Sequence, residues 1–449
     1  MSLRARRRHV AITLASAALF LLPGCGSGQS SPGASGAVNC SRFGDYGSGY
    51  GGAKVSIFSA IRGIEAQNFV DVLKPFERCT GIDISWEASE DFESQLQARV
   101  HAGQAPDLAA IAQPGLIRDL AHSGALKPAA QQLVAEATQN YPGSWLDYAS
   151  VGGALYGTPL GANVKSLVWY SPVAFARHGW TVPRTWAELM TLSRRIASDG
   201  EHPWCAGIDS GHSTGWPVTD WIEDILLRTQ PPGVYDAWVA HRLPFNDPRV
   251  VSAVHQVGEI LRDPRYVNGG FGDVHSIAVT SWQDGGLPVV DSGDCSLYHL
   301  GSFYANDWPS GTLINPSQEV YAFVLPSMNG QTQPLVVAGE FMTAFNDDPA
   351  TRAVQQYLAS SDFAQTKARR GGWVSINNGV TEADLPDPLG RLVLTLLRDP
   401  HRLMRFDGSD QMPSAVGTGT FWSEATRWIS TGESDQAFCT AVEQSWPRS

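Results

Sequence analysis

Strand-like and helix-like patterns alternate along the chain from residue 54 onward, and this alternation restricts the fold more than any other feature. Strand-like segments alternate apolar and polar residues or form short apolar runs, whereas helix-like segments repeat large apolar residues at three- and four-residue spacing. The predicted elements are strands at 54–59, 82–86 and 108–111 and helices at 65–78, 92–100 and 115–123. Such alternation is typical of parallel βαβ units with helices on both faces of a sheet. The sequence therefore predicts an α/β fold.

The later part of the chain continues this pattern. Residues 185–188 (TWAE) have the spacing of a capping box, and Leu189, Leu192 and Ile196 follow as a buried helical stripe. Since the chain has 449 residues, we expect two or more structural units.

The N-terminus has the features of an export signal. Four arginines precede an apolar stretch at residues 10–22, which is too short to span a bilayer but suits a signal peptide over residues 1–24. The stretch ends in LPGC, which resembles a bacterial lipobox and predicts lipidation of Cys25; secretion without a lipid is the alternative. Residues 25–39 are rich in Gly, Ser, Ala and Pro and predict a flexible tether. We therefore expect a protein that is lipid-anchored at the extracellular face of the cell membrane.

The composition excludes some partners and favours others. The formal charge is −12, and it becomes −16 without residues 1–24, which contain four arginines and no acidic residue. Nucleic-acid binding depends on Lys and Arg, so this charge argues against it. The fifteen tryptophans mostly belong in a core, but exposed indole faces also receive sugar rings.

The cysteines are expected to form disulfides, since the protein is exported. Sequence alone does not fix the connectivity. Cys40 precedes the first strand and Cys79 ends the first helix, so one bridge would fasten the N-terminal arm, and Cys205 would then pair with Cys295. Cys439 is left over. No cysteine or histidine spacing indicates zinc, and we predict neither a metal site nor a cofactor.

Several motifs resemble those of a known family. Residues 75–82 (PFERCTGI), 106–107 (PD) and 156–160 (YGTPL) are similar to segments of the solute-binding proteins of ABC sugar importers. The more specific stretches are 161–170 (GANVKSLVWY), 214–224 (TGWPVTDWIED) and 406–413 (FDGSDQMP). They look like the α-glucoside-binding branch, and the similarity runs from about residue 50 to residue 447.

The resemblance implies a two-lobed periplasmic-binding-protein-like fold with a hinge between two α/β lobes. We assign residues 40–163 and about 332–365 to lobe 1, and residues 164–331 and about 366–449 to lobe 2. The implied partners are a small α-glucoside and the permease subunits of an importer with its ATPase. We expect a monomer, because delivery needs a free face.

Loop position and resemblance together give the candidate site. Ligands bind beyond the carboxyl ends of parallel strands. Sugars need carboxylates or amides for their hydroxyls and aromatic planes for their rings. The candidate ligand-binding residues are Glu65, Asp91, Gln113, Asn163, Lys165, Trp216, Asp220, Trp282, Glu340, Trp373, Asp407 and Asp410.

Structural roles are the alternative for several of these candidates. Asp91 and Asp220 have the position of helix caps, and Trp216 has that of a residue that packs a helix start. Asp407 and Asp410 have the composition of an Asp-Gly turn.

Other functions stay open at this stage. A secreted glycoside hydrolase would need two carboxylates at a fixed separation, but no nucleophile motif is present, and we predict no catalytic residue and no enzyme. The same fold binding another polyol, an amino sugar or a glucosylated acid is a closer alternative. Lys165, Arg369 and Arg370 leave an anionic sugar open.

Overall fold

A computed structural model defines the fold. The residues that it describes are 39–267, 272–290, 293–330 and 333–447. The predicted signal peptide, the lipidation site Cys25 and the predicted tether up to residue 38 lie outside the described residues.

The strands of the described chain are mostly short. In chain order they are β1 (Lys54–Ser59), β2 (Asp83–Ala88), β3 (Leu108–Ile111), β4 (Ser150–Val151), β5 (Ala154–Leu155), β6 (Gly157–Pro159), β7 (Asn163–Val164), β8 (Leu167–Tyr170), β9 (His202–Cys205), β10 (Cys295–His299), β11 (Tyr321–Val324), β12 (Leu335–Ala338), β13 (Phe341–Ala344) and β14 (Met404–Phe406).

Helices connect and cover these strands. In chain order the α-helices are α1 (Gly63–Thr80), α2 (Phe92–His101), α3 (Pro114–His122), α4 (Gln131–Asn140), α5 (Gly143–Leu146), α6 (Pro172–His178), α7 (Trp186–Ser198), α8 (Trp216–Thr229), α9 (Pro232–Val239), α10 (Pro248–Leu261), α11 (Pro349–Leu358), α12 (Ser361–Ala368), α13 (Pro388–Arg398), α14 (Gly408–Gln411), α15 (Trp422–Thr431) and α16 (Asp435–Ser445). Short 3₁₀ segments and a π-helical turn at Ala415–Phe421 join them.

The first lobe is built on a five-stranded sheet in the order β2-β1-β3-β13-β6. β1 pairs in parallel with β2 and β3, as the alternating pattern predicts. β13 is antiparallel to both of its neighbours. The expectation of purely parallel units is therefore wrong for this edge of the sheet, because β13 follows β12 of another sheet after two residues and not a covering helix.

The second lobe is built on a four-stranded sheet in the order β11-β8-β10-β9, in which β8 is antiparallel to β10 and β11 and β10 is parallel to β9. A three-stranded sheet in the order β14-β12-β7 contains segments that run between the lobes. β12 is parallel to β14 and antiparallel to β7, so two crossing segments are hydrogen-bonded to each other. The architecture is a two-lobed α/β fold with a hinge region.

The buried stripes of the predicted helices face the core. Phe69, Val72, Leu73 and Phe76 are all buried on α1. On α7, Thr185 accepts the N–H of Glu188 as predicted, but the Glu188 carboxylate accepts from the N–H of Arg184 rather than of Thr185. The reciprocal bond is therefore displaced by one residue. The N–H of Trp186 also donates to the carbonyl of Ser327 at the helix start.

Disulfides fasten one segment of each lobe. Cys40 bonds to Cys79, and Cys205 on β9 bonds to Cys295 on the neighbouring β10. Cys439 is buried and carries a free thiol. Within the described ranges, no helix combines the length and the apolar character needed to cross a membrane.

The lobe boundaries stay a prediction, but one contact bears on them. The Lys367 Nζ lies 4.4 Å from the ring centroid of Phe69 on α1, and Trp373 packs edge-on against the same ring. The chain just beyond the assigned boundary at about residue 365 therefore still contacts the first lobe.

Candidate functional site

A cavity of about 410 Å³ lies where the loops after β1 and β3 face the start of α8 and the turn after β14. Its polar and aromatic lining comprises Arg62, Glu65, Glu90, Glu93, Gln113, Asn163, Lys165, Ser210, Ser213, Trp216, Trp282, Gln283, Phe303, Asn306, Asp307, Glu340, Asp407, Ser409, Asp410 and Trp422. Nine of the twelve candidate residues lie in this wall; Asp91, Asp220 and Trp373 do not. The cavity receives side chains from both lobes and from the crossing segments.

Lys165 is held in the cavity wall by two aspartate side chains. Its Nζ donates to Asp220 at 3.1 Å and 3.0 Å, and it lies 3.2 Å from Asp407 Oδ2. Asp220 lies on the second turn of α8, so it is not the cap of that helix, which begins after Gly215. Asp220 therefore acts behind the wall, where it fixes the lysine.

The ionisation of this cluster follows from burial and pairing. Burial opposes the charge on Lys165, but Asp220, Asp407 and Asp410 together raise its pKa above the ordinary value. Burial raises the pKa of Asp220 well above its usual range. Burial also opposes ionisation of Asp407, but Lys165 and hydrogen-bond donors in its own turn lower the pKa below the usual range. The cluster thus carries an ammonium beside at least one carboxylate.

The turn after β14 presents Asp407 and Asp410. Asp407 Oδ1 accepts the N–H of Asp410 at 3.0 Å and the hydroxyl of Ser409 at 2.8 Å, so Asp407 caps α14 and pairs with Lys165 at once. Glu223 on α8 accepts the N–H groups of Gly408 at 2.6 Å and Ser409 at 2.9 Å. This buried carboxylate fixes the turn from behind, where backbone donors would otherwise be unpaired.

The aromatic part of the wall is formed by three neighbouring rings. Trp216 packs against Trp282 at 5.4 Å and against Phe303 at 5.8 Å between ring centroids. Lys165 Nζ lies 4.6 Å from the Trp216 ring centroid. One face of Trp216 is therefore occupied by a cation–π contact. The remaining ring surfaces of Trp216, Trp282 and Phe303 are the ones that a ligand can contact.

A second cluster of acidic side chains lies in the cavity wall and comprises Glu65, Asp307 and Glu340. Asn306 Nδ2 donates to Glu65 Oε2 at 3.1 Å and to the carbonyl of Gly372 at 2.7 Å. Burial and the neighbouring Glu65 raise the pKa of Glu340 to about 7 and that of Asp307 to about 7. These carboxyls have no ion-pair partner within 4 Å in the part of the chain that the structure describes, so they are available to hydroxyl groups.

Asp91 does not have the capping role considered for it, and its carboxylate binds another loop. Its carboxylate does not cap α2; Oδ1 accepts the N–H of His212 at 3.0 Å and lies 2.7 Å from the ring Nδ1. Next to it, the Ser213 hydroxyl donates to Glu93 at 3.0 Å, and Gln113 donates to the same carboxylate at 3.0 Å. The start of α2 therefore contacts the loop that precedes α8.

Trp373 borders a smaller adjoining cavity of about 50 Å³ together with Glu65, Asn163 and Glu340. Its indole is buried, and its Nε1 has no hydrogen-bond partner among the described residues. This candidate ligand-binding residue thus lies beside the main cavity rather than in its wall.

The chain matches the sequence profile of bacterial extracellular solute-binding proteins over residues 63–277. It is 40% identical over 398 residues to the osmoprotective compounds-binding protein GgtB of Synechocystis sp.. The aligned residues cover 88% of this chain and 93% of that protein. It is 33% identical over 410 residues to the alpha-glucosides-binding periplasmic protein AglE of Rhizobium meliloti, covering 88% and 87%. This chain is a bacterial extracellular solute-binding protein.

A solved structure agrees with the fold of this solute-binding protein. The bacterial solute receptor AcbH superposes with a TM-score of 0.75 at 17% identity, covering 88% of this chain and 98% of that one. The family and its relatives make this solute-binding protein the substrate-binding component of an ABC sugar importer.

Several cavity residues of this solute-binding protein escaped sequence reasoning. They are Glu93, Ser210, Ser213, Phe303, Asn306, Asp307 and Trp422, with Glu223 behind the wall. Glu93 carries a usable signal, since it follows a strand end by a few residues. Asn306 carries none, because its contact with Glu65 spans 241 positions. Among the described residues, no group of three or more His, Cys, Asp or Glu side chains is placed to hold a metal.

Proposed function

We propose that this solute-binding protein captures an uncharged α-linked glucoside, a disaccharide or small oligosaccharide, by closure of its lobes, and presents it to the importer's permease and ATPase. The cavity volume of about 410 Å³ falls within the ~300–1,000 Å³ that small-molecule sites occupy. Two relatives support the class of solute by their names, which refer to osmoprotective compounds and to alpha-glucosides.

The charge of the cavity carries this proposal. Glu65, Glu93, Asp307 and Glu340 offer acceptors for hydroxyl donors, and the Trp216 cluster offers ring faces. Both cations of the lining have partners in the described chain. Lys165 pairs with Asp220 and Asp407. The guanidinium Nη1 of Arg62 lies 3.0 Å from Glu90 Oε2. An anionic sugar would meet carboxylates without a free cation, so the cavity favours a neutral polyol over a glucosylated acid.

Capture without chemistry belongs to the same proposal. The relatives are binding proteins of transporters, and this protein is proposed to return its sugar unchanged. We further propose that Cys25 anchors it at the membrane surface and that it acts as a monomer. Light scattering that finds a stable dimer would contradict the last point.

A thermal-shift screen of the purified protein tests the function. The panel holds trehalose, maltose, sucrose, palatinose, glucosylglycerol, glucosylglycerate and glucose, and any hit is recovered and chromatographed. A ligand at about 100 times its Kd stabilises the protein by about 2.7 kcal/mol. A shift with a neutral α-glucoside that is recovered intact supports the proposal. No shift with any α-glucoside refutes it, and a cleaved sugar indicates a hydrolase instead.

A further inference from the structure

Lys367 is a buried amine just behind the sugar cavity. It is fully buried on α12, and its Nζ has no hydrogen-bond partner among the described residues. The ammonium instead faces two rings, with 4.4 Å to the centroid of Phe69 and 5.0 Å to that of Trp373. Ring faces compensate only part of the cost of burying an ammonium. A further source of negative charge is therefore needed nearby.

The two rings connect Lys367 to the cavity wall. Phe69 lies one turn after Glu65 on α1, so the two side chains share a face of that helix. Trp373 borders the small adjoining cavity together with Glu65 and Glu340. Lys367 thus lies one layer of aromatic rings behind two carboxyls that border the main cavity as well.

The charges around Lys367 come from several elements. Glu65 on α1 and Glu340 after β12 attract its ammonium, whereas Arg370 after α12 repels it. The two carboxyls in turn face other charges: Asp307 interacts with Glu65, and Lys165 interacts with Glu340. Burial raises the pKa of Glu65, and within this set Lys367 lowers that pKa more than any other group does.

We propose that Lys367 is a positioning residue for sugar binding, the buried counter-charge that favours the carboxylate forms of Glu65 and Glu340 as hydroxyl acceptors. This inference rests on the proposed function, since it requires a hydroxyl-bearing ligand. An ionised carboxylate makes roughly twice as strong a hydrogen bond as a neutral acceptor. Removal of the buried charge would therefore change the pH range of binding and not only its strength.

The titration behaviour supports this role. Burial lowers the pKa of Lys367 to about 8, against the pull of Glu65 and Glu340, so the amine is still charged at neutral pH. Burial and Glu65 raise the pKa of Glu340 to about 7. The affinity for a polyol is therefore expected to fall as the pH drops below about 7, when Glu340 gains a proton. Without Lys367 this fall should begin at higher pH, because the neighbouring carboxylates would lose a favourable charge.

The test is the Kd for glucosylglycerol, and in parallel for trehalose, measured by calorimetry from pH 5.5 to 8.5. In the wild-type protein we expect about a tenfold weakening centred near pH 7. Lys367→Met removes the charge at similar volume and should move this midpoint up by about one pH unit. Lys367→Arg keeps the charge and should leave the midpoint in place. Lys74→Met is the control, since it removes an exposed lysine from α1 with the same change of side chain.

Each outcome decides one of the two proposals. No binding of glucosylglycerol, trehalose or the other α-glucosides at any pH refutes the proposed function. Binding that is independent of pH in the wild-type protein overturns the role of Lys367 and leaves the function intact, even if a variant fails to fold. An equal loss of affinity at every pH in Lys367→Met also overturns it, since that is the effect of a structural defect alone.

Discussion

Asp91 Oδ1 lies 2.7 Å from His212 Nδ1 and also accepts the backbone N–H of His212. This contact joins the start of α2 in the first lobe to the loop before α8, next to the cavity but outside its lining. Gly211 makes the approach possible, because a Cβ there would lie 2.7 Å from the same oxygen. The contact therefore joins segments assigned to the two lobes without belonging to the cavity wall, and we propose that it favours lobe closure. A ligand needs less differential affinity to close lobes that already attract each other.

Asp91→Asn should weaken sugar binding about two- to fivefold, because the closed form loses a charge-assisted bond at an exposed site. Calorimetry with the best-binding sugar of the panel measures the change. Asp263→Asn is the control, since Asp263 pairs with Arg265 only two residues away. An unchanged affinity in Asp91→Asn would show that the contact does not influence closure.

Lys165→Met should abolish sugar binding and lower the free energy of unfolding by about 3–5 kcal/mol, because two buried carboxyls lose their shared cation. Denaturant unfolding and calorimetry measure the two effects. Lys74→Met removes an exposed i,i+3 pair and should cost less than about 1 kcal/mol. A stable Lys165→Met protein that still binds sugar would contradict the assigned geometry of the cluster.

The stability of the ligand-free protein should depend on pH through Glu340. Its pKa is raised from 4.5 to about 7 by burial and by Glu65, so the folded state binds the proton more tightly than the unfolded state does. This contribution to stability is present below pH 4.5 and is lost as the pH rises through about 7, on the order of 3 kcal/mol. Melting curves of wild type and Glu340→Gln at pH 5 and pH 7.5 check it. The variant should lose less stability over this range, and equal losses would show that Glu340 is not perturbed.

Removal of the Cys205–Cys295 disulfide by substitution of both residues with Ala should lower the unfolding free energy by about 3–5 kcal/mol, since the bond closes a loop across 90 positions. Thermal denaturation under non-reducing conditions measures it. Cys439→Ala, which removes a buried free thiol, is the control and should cost less. If the double variant melts at the wild-type temperature, the bridge does not restrict the unfolded chain as assumed.

Local patterns explain which parts of this structure were predictable. β1, β3 and the buried stripe of α1 follow from the side chains of each segment alone. Gln113 could be placed in the cavity because it follows β3, and parallel strands end at one edge of a sheet. The direction of β13 could not be predicted, since it depends on how the chain crosses between lobes.

Contacts between segments that lie far apart in the chain could not be predicted from the sequence. Glu223 has the pattern of an ordinary buried helical position, yet it binds the turn at Gly408, 185 residues later. Asp91 meets His212 across 121 positions, so only the fold distinguishes this contact from a helix cap. The candidates on α8 and α14 came from loop position and resemblance together.

The most direct test of the account is calorimetry of the purified protein with glucosylglycerol and with glucosylglycerate, two sugars that differ in the charge of the aglycone. A cavity whose lysine and arginine are already paired should bind the neutral compound at least about tenfold more tightly than the anion at pH 7.5. Equal or tighter binding of the anion would contradict the proposed selection for an uncharged glucoside.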